Sequence, residues 1–239
     1  MANQATLQAH LEHQRLEEQQ QFMSMLTHEL KTPLSLIGLT LQGGASSERS
    51  RHLANQALQN VVAIIDRCAM ASRMEEQALV VKPVPCSLEA ELDTLLVQLG
   101  DDAKRRCRLQ IDSDAPLVMA DPLFLNTVLA NLLDNALKYA PSLSPVSIDV
   151  QRAEEAGEFG LAVTISNQAG SSGLPDPQRI FDKYYRSDGA SRFSGSGLGL
   201  YIVHNLAGMM GGSVKYRIDD NRVSFLLWLP SLTFRTASA

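Results

Sequence analysis

The chain has 239 residues, 45% of them hydrophobic, and a formal net charge of −5. That is enough for a packed core in one large domain or two modest ones, and the acidic balance without a basic stripe argues against a nucleic-acid binder. The three cysteines, Cys68, Cys86 and Cys107, lack metal-ligand spacing and point to a reduced, cytoplasmic setting; there is no signal peptide, and no apolar run nears the roughly 18 residues of a membrane span.

Residues 4–42 read as one long helix. Its first part is rich in Gln, Glu and Leu with few apolar anchors, so it needs support from something upstream or from a dimeric coil. The chain therefore reads as the cytoplasmic part of something longer, with an upstream region absent here. Within the helix lies Thr27-His28-Glu29-Leu30-Lys31-Thr32-Pro33-Leu34. At about 100° per residue, Phe22, Leu26, Leu30, Pro33, Ile37 and Leu41 gather into one stripe. His28 falls roughly opposite it and should face water, with Thr32 its i+4 neighbour and Glu29 one step round the helix. A ring aimed at solvent beside a carboxylate suits a nucleophile. Pro33 should kink the helix, and Gly43-Gly44-Ala45-Ser46-Ser47 should turn the chain.

A second helix is expected over 48–76, with Leu53, Ala57, Val61, Ile64, Cys68 and Ala71 as its stripe. Two antiparallel amphipathic helices have too little core to stand alone. Pairing two such hairpins about a two-fold axis builds a four-helix bundle, so a homodimer is expected. This hairpin is assigned to residues 1–77 and a second domain to 78–239.

In the second domain Leu79-Val80-Val81 reads as a first strand, ended by Pro83 and Pro85. Ser87 should cap a helix reaching Leu99. Residues 108–111 and 117–120 read as short strands, and Asp121-Pro122 should open a helix running to Tyr139. Strands are expected over 146–150 and 161–166, a short helix over 176–184, a helix leading from Gly195 to Met210, and a closing hairpin of 213–218 with 222–229. Helices on one face of a mixed, mostly antiparallel sheet make an α+β, two-layer sandwich.

The helix ending at Tyr139 places Asn131, Asn135 and Lys138 on one face at i, i+4 and i+7, with Val128, Leu129, Leu132 and Leu133 turned away. Two carboxamides and an ammonium can hold a hydrated divalent metal and a polyphosphate, and magnesium takes few protein ligands. Gly195-Ser196-Gly197-Leu198-Gly199-Leu200 stands just before the next helix, where glycines let backbone N–H groups approach a phosphate. Ahead of it, residues 187–194 are small and polar, with Arg186 and Arg192 nearby, which suits a lid. No strand precedes these glycines, so a dinucleotide-binding βαβ unit is excluded.

Together these stretches resemble the sensor histidine kinases of two-component signalling. His28-Glu29-Leu30-Lys31-Thr32-Pro33 is similar to the family's phosphoacceptor box, Asn131 to Tyr139 to its asparagine box, Ile180 to Arg186 to its phenylalanine box and Gly195 to Leu200 to its second glycine box. The resemblance implies ATP and Mg²⁺ as cofactors and phosphorylation of His28 on a ring nitrogen. Glu29 would accept or orient the other ring proton. Asn135 with Asn131 would hold the metal. Lys138, Gly195, Gly197, Leu198 and Gly199 would meet the phosphates, Tyr139 would pack on adenine, and Arg186 or Arg192 would steady the transferring charge. The implied partners are a second copy of the chain and a receiver domain whose aspartate takes the phosphate; Thr32 matches the position that aligns water in the reverse reaction. Related gyrase- and chaperone-type ATPases carry a water-activating glutamate where this chain has Asn131, which disfavours simple hydrolysis.

One box departs from the pattern. The family follows its central strand with Asp-x-Gly-x-Gly, whose aspartate accepts from the adenine amino group. This chain has Asn167-Gln168-Ala169-Gly170-Ser171-Ser172-Gly173 instead. Asn167 is the substitute, since its carbonyl oxygen can accept from the same group, and Gly173 is the matching glycine of the loop. Without the carboxylate's charge the contact is weaker, and weak or slow ATP binding is expected. A nucleotide-independent dimeric module that docks a receiver domain or another kinase stays open as the alternative.

Overall fold

The computed structural model describes residues 2–42, 48–112, 115, 117–187, 189 and 195–231. The chain divides into two compact units, residues 1–72 with 194–198 and residues 73–193 with 199–239. The 43–47 turn lies outside the described residues, as do Arg192 and most of the expected lid.

The first unit holds two long helices, α1 (Ala2–Gln42), with Pro33 inside it, and α2 (Glu48–Glu75), which runs on into the second unit. On α2 the buried positions are Ala57, Ile64 and Ala71, seven residues apart. Of the expected stripe Val61 and Cys68 are half-buried and Leu53 is exposed. A second apolar row, Leu58, Val62 and Ile65, lies about 100° round the helix and is roughly half exposed. Among the described residues no helix is long and apolar enough to cross a membrane.

The second unit is built on a five-stranded sheet in the order β2 (Cys107–Ile111), β4 (Val146–Glu155), β5 (Glu158–Gln168), β7 (Arg222–Pro230), β6 (Ser213–Asp219). The β2–β4 pairing is parallel and the other three are antiparallel. One face of the sheet carries aligned rows: Val146, Ile148 and Val150 on β4, Leu161, Val163, Ile165 and Asn167 on β5, and Val223, Phe225, Leu227 and Leu229 on β7. Helices α5 (Pro122–Tyr139) and α6 (Gly199–Met209) pack together and touch this sheet, and α3 (Leu88–Gln98) packs on α5. The wholly buried Leu125, Leu129, Leu132, Leu133, Ile202 and Leu206 form the interior of the helical layer. The α+β reading of this unit holds.

The start of α5 is fixed twice. Asp121 Oδ1 accepts from the N–H groups of Leu123 and Phe124 at 3.0 and 3.4 Å, while its Oδ2 accepts from the Lys82 N–H at 2.9 Å. The cap thus satisfies donors at the helix end that have no intrahelical partner and ties the incoming chain to it. Ser87 caps α3 as expected, accepting from Ala90 N–H at 3.3 Å.

Two expected elements are corrected. The first strand is β1 (Val84–Cys86), not Leu79–Val81: it pairs antiparallel with β3 (Val118–Ala120), where Pro85 stands opposite Met119. A proline is tolerated on so short an edge pairing, whereas Val80 is 73% exposed and has no strand to join. The helix expected over 176–184 is a chain of turns. Pro177 disfavours helical backbone at Asp176, the Asp176 side chain accepts from the Gln178 N–H at 2.9 Å, and Tyr184 adopts φ +64°. A short helix, α4 (Asp101–Arg106), was not expected; its acid-to-base order, Asp101 and Asp102 before Lys104, Arg105 and Arg106, suits the helix dipole.

Candidate functional site

Each unit carries part of the expected constellation. In the first, His28 and Thr32 are exposed on α1 and Glu29 is 3% exposed. The neighbouring carboxylate is therefore buried rather than on the rim. Pro33 is also buried. Gly195, Gly197 and Leu198 fall in this unit too. Gly197 has φ +67°, a conformation costly for any other residue, and Leu198 N–H donates to Ser196 Oγ at 3.3 Å.

In the second unit α5 presents Asn131, Asn135, Lys138 and Tyr139, all half-buried. The four leucines and valine of the same helix anchor it to the core, so the polar face is set by helix rotation. Asn131 Nδ2 donates to the Thr127 carbonyl one turn earlier at 2.7 Å, which leaves Oδ1 turned toward α6. There it meets the first residue of α6: a Cβ built on Gly199 would stand 3.0 Å from Asn131 Oδ1 and touches nothing else besides that amide. The glycine leaves a gap between a carboxamide oxygen and a helix N-terminus. At the last turn of α5, Lys138 Nζ lies 5.0 Å from the centroid of the Tyr139 ring, where the ring face attracts the ammonium.

The far end of β5 supplies the third group. Asn167 is 3% exposed and closes a row of core side chains, between Val146 and Val223 in register. Its Nδ2 donates to the Gln168 carbonyl at 2.7 Å. The loop that follows is pressed against α5. A Cβ on Gly170 would lie 2.5 Å from the Tyr139 carbonyl oxygen, closer than real contacts allow, so only glycine fits while that loop stays in place. Gly173, by contrast, has open space for a Cβ but φ +72°. Arg186 is half-buried.

Three features were missed by sequence reasoning. Thr127 orients Asn131, and the i−4 spacing was the available signal. Gly170 seats the loop on Tyr139, a contact no local pattern announces. Phe181 stacks on the His204 ring of α6, with centroids 5.2 Å apart and planes at 29°. Beyond that stack, Lys183 forms an ion pair with Glu75 at the end of α2. Burial opposes the Lys183 charge, but Glu75 and Tyr184 outweigh it and hold the ammonium above its ordinary range.

A divalent cation fits the donor set on α5 in one respect. Among the described residues there is no cluster of three His, Cys, Asp or Glu side chains that could enclose a metal. A cation here would rest on carboxamide oxygens, its own waters and a bound anion, which accords with magnesium keeping several waters and taking few protein ligands beside phosphates. Asn131 Oδ1, whose amide nitrogen is committed to Thr127, has the chemistry such a ligand would need.

Residues 120–233, from the end of β3 to just beyond β7, match the histidine kinase-, DNA gyrase B- and HSP90-like ATPase family. The chain belongs to the sensor histidine kinases. It is 31% identical over 218 residues to the signal transduction histidine-protein kinase BarA of Escherichia coli K12, covering 85% of this chain and 24% of that protein. It is 27% identical over 224 residues to the swarming motility regulation sensor protein RssA of Serratia marcescens, covering 90% and 47%. The chain thus spans between about a quarter and a half of the length of these curated relatives. Its fold is shared with the Acinetobacter baumannii histidine kinase AdeS, at TM-score 0.64 and 18% identity over 86% of this chain and 98% of that one. Full-length ShkA in complex with AMPPNP matches at TM-score 0.59 and 18% identity, over 89% and 46%.

Proposed function

We propose that the chain is the core of an ATP-dependent protein-histidine kinase that phosphorylates His28 and passes the phosphate to an aspartate of a receiver domain. The observation that carries the reading is the meeting of Asn131 Oδ1 with Gly199 at the N-terminus of α6. A carboxamide acceptor and a helix N-terminus, separated only by a missing Cβ, suit a cation and a phosphate side by side. Asn131 with Asn135 would hold Mg²⁺, which when bound neutralises phosphate charge. Lys138 and the N–H groups at the start of α6, with Gly195, Gly197 and Leu198, serve the phosphates; Tyr139, Asn167 and Gly173 serve the base, and Arg186 the transferring group.

In the reaction a ring nitrogen of His28 attacks the γ-phosphorus. An N–P bond forms as the bond to the bridging oxygen breaks, and ADP leaves with that electron pair. Glu29 takes or orients the proton on the other ring nitrogen, a role its burial beside an exposed histidine supports. Thr32, exposed one turn on, serves dephosphorylation of the receiver. The exposed row Leu58, Val62 and Ile65 supports a homodimer in which two antiparallel hairpins close a four-helix bundle. The hairpin is read as 1–77, the catalytic domain as 78–239, and the setting as cytoplasmic.

The test is incubation with Mg-ATP labelled on the γ-phosphate. Acid-labile label on the chain that is absent from His28→Gln is expected. No label on the parent chain sinks the proposal, and phosphate release that survives loss of His28 replaces it with a simple ATPase.

A further inference from the structure

Asn167 is a polar side chain 3% exposed at the end of an apolar row, flanked in register by Val146 and Val223. Its amide nitrogen is committed to the Gln168 carbonyl at 2.7 Å. Its Oδ1 has no hydrogen-bond partner among the described residues. That oxygen is not among the sealed side-chain atoms left without a partner, so it keeps some open surface, and the geometry suits a ligand that brings an N–H to this point. One acceptor set in register between two valines suits the polar edge of a flat heteroaromatic ring.

We propose that the base site accepts guanine as well as adenine nucleotides, with adenine favoured by only about tenfold. This rests on the nucleotide reading above. As oriented, Asn167 offers only an acceptor, which suits the exocyclic amino group of adenine. Guanine presents a carbonyl oxygen at that position, and two acceptors then face each other. A carboxylate has no way out of that clash. A carboxamide does: rotation about its terminal torsion brings Nδ2 to the guanine oxygen. The rotation sacrifices the bond to the Gln168 carbonyl, which belongs to an exposed residue at the strand end where water can take over. The cost is about one net hydrogen bond, hence a preference of roughly tenfold rather than a barrier. The Asn167–Gln168 bond is the selectivity element, and it is a weak one.

The experiment is calorimetric titration of the intact chain with Mg-ATP and with Mg-GTP. Both should bind, GTP about tenfold more weakly. In Asn167→Asp, which can only accept, the ratio should widen to a hundredfold or more. In Asn167→Leu, which can do neither, it should narrow toward one, and this variant serves if the buried aspartate prevents folding. GTP binding more than a hundredfold weaker than ATP in the parent chain overturns the proposal, as does an unchanged ratio in either folded variant. If neither nucleotide binds the parent chain, the kinase reading itself fails and takes this one with it.

Discussion

On α5 the amide of Asn131 donates to the Thr127 carbonyl, and at the end of β5 the amide of Asn167 donates to the Gln168 carbonyl, both at 2.7 Å. In each case the amide nitrogen is committed and, among the described residues, the oxygen is not. The scaffolds differ. Asn131 leans back along a helix pinned by a fully buried apolar stripe, and its partner lies within the same helical turn. Asn167 leans on its own neighbour at a strand end. The bond alone does not mark a site, because Asn205 on α6 donates to the Tyr201 carbonyl at 2.8 Å in the same i−4 manner. What distinguishes Asn131 is the glycine opposite its oxygen, and what distinguishes Asn167 is its place in a buried row, with its oxygen unpartnered among the described residues. The first is a rigid acceptor and the second an adjustable one.

If that contrast is right, loss of the two side chains acts on different quantities. Asn131→Leu removes the group proposed to stand beside the reacting phosphates and should lower the rate of His28 labelling by at least about a hundredfold at saturating Mg-ATP, equivalent to about 2.7 kcal/mol. Asn167→Leu should weaken ATP binding by about tenfold and leave the saturated rate within about twofold. Single-turnover labelling across a range of ATP concentrations separates the two. Equal losses of rate in both variants would break the comparison.

The two glycines that border these asparagines sharpen it. Gly170→Ala drives a Cβ into the backbone carbonyl of Tyr139, which cannot yield as a side-chain tip can; a loss of about 2 kcal/mol in stability is expected, read by urea unfolding. Gly199→Ala meets only the Oδ1 end of Asn131 at 3.0 Å. Stability should hold or rise by up to about 1 kcal/mol, since alanine suits a helix better. Mg-ATP affinity should nevertheless fall by several-fold, read by calorimetry. A Gly199→Ala chain with unchanged affinity would remove the main support for the α5–α6 site.

Much of this arrangement was legible from residue order. The stripe of α5 and its Asp-Pro start gave the helix its ends and rotation, and with them the face bearing Asn131, Asn135 and Lys138. The β4–β5 and β6–β7 hairpins followed from alternation. What failed had physical reasons. Leu79-Val80-Val81 has strand composition but no edge to pair with, while Val84–Cys86 pairs with β3 despite Pro85, and partner availability is not written in a local window. Residues 176–184 carry helix-forming side chains, yet Pro177 and the Asp176 side chain fix turns first. The extra charged length of β4 and β5, out to Glu155 and Glu158, was hidden because those residues project into water where alternation fades. Gly170 reached the site through a long-range backbone approach that no spacing rule covers.

The smallest effect concerns a buried polar group that has neither a backbone anchor nor a proposed ligand. Tyr216 on β6 packs its ring 5.4 Å from Phe225, and its hydroxyl is buried with no hydrogen-bond partner among the described residues. Burial, with a smaller contribution from Tyr185, pushes its pKa up to about 12 from an ordinary value of 10.0. The folded chain then keeps a proton that the unfolded chain gives up above pH 10. Stability from this source is fully present below that pH and is lost as pH rises toward 12, by up to about 2 kcal/mol. In Tyr216→Phe the alkaline loss should shrink by that amount, and removal of an unsatisfied hydroxyl should raise stability at neutral pH by about 1 kcal/mol. Urea unfolding at pH 7 and at pH 11 reads both. A gain at neutral pH would show that an unpartnered polar atom is costly on this sheet face, so that a donor brought to the Oδ1 of Asn167 would be favoured. A loss instead would mean that unpaired polar atoms are tolerated here, and the argument from Asn167 to a ligand donor would weaken with it.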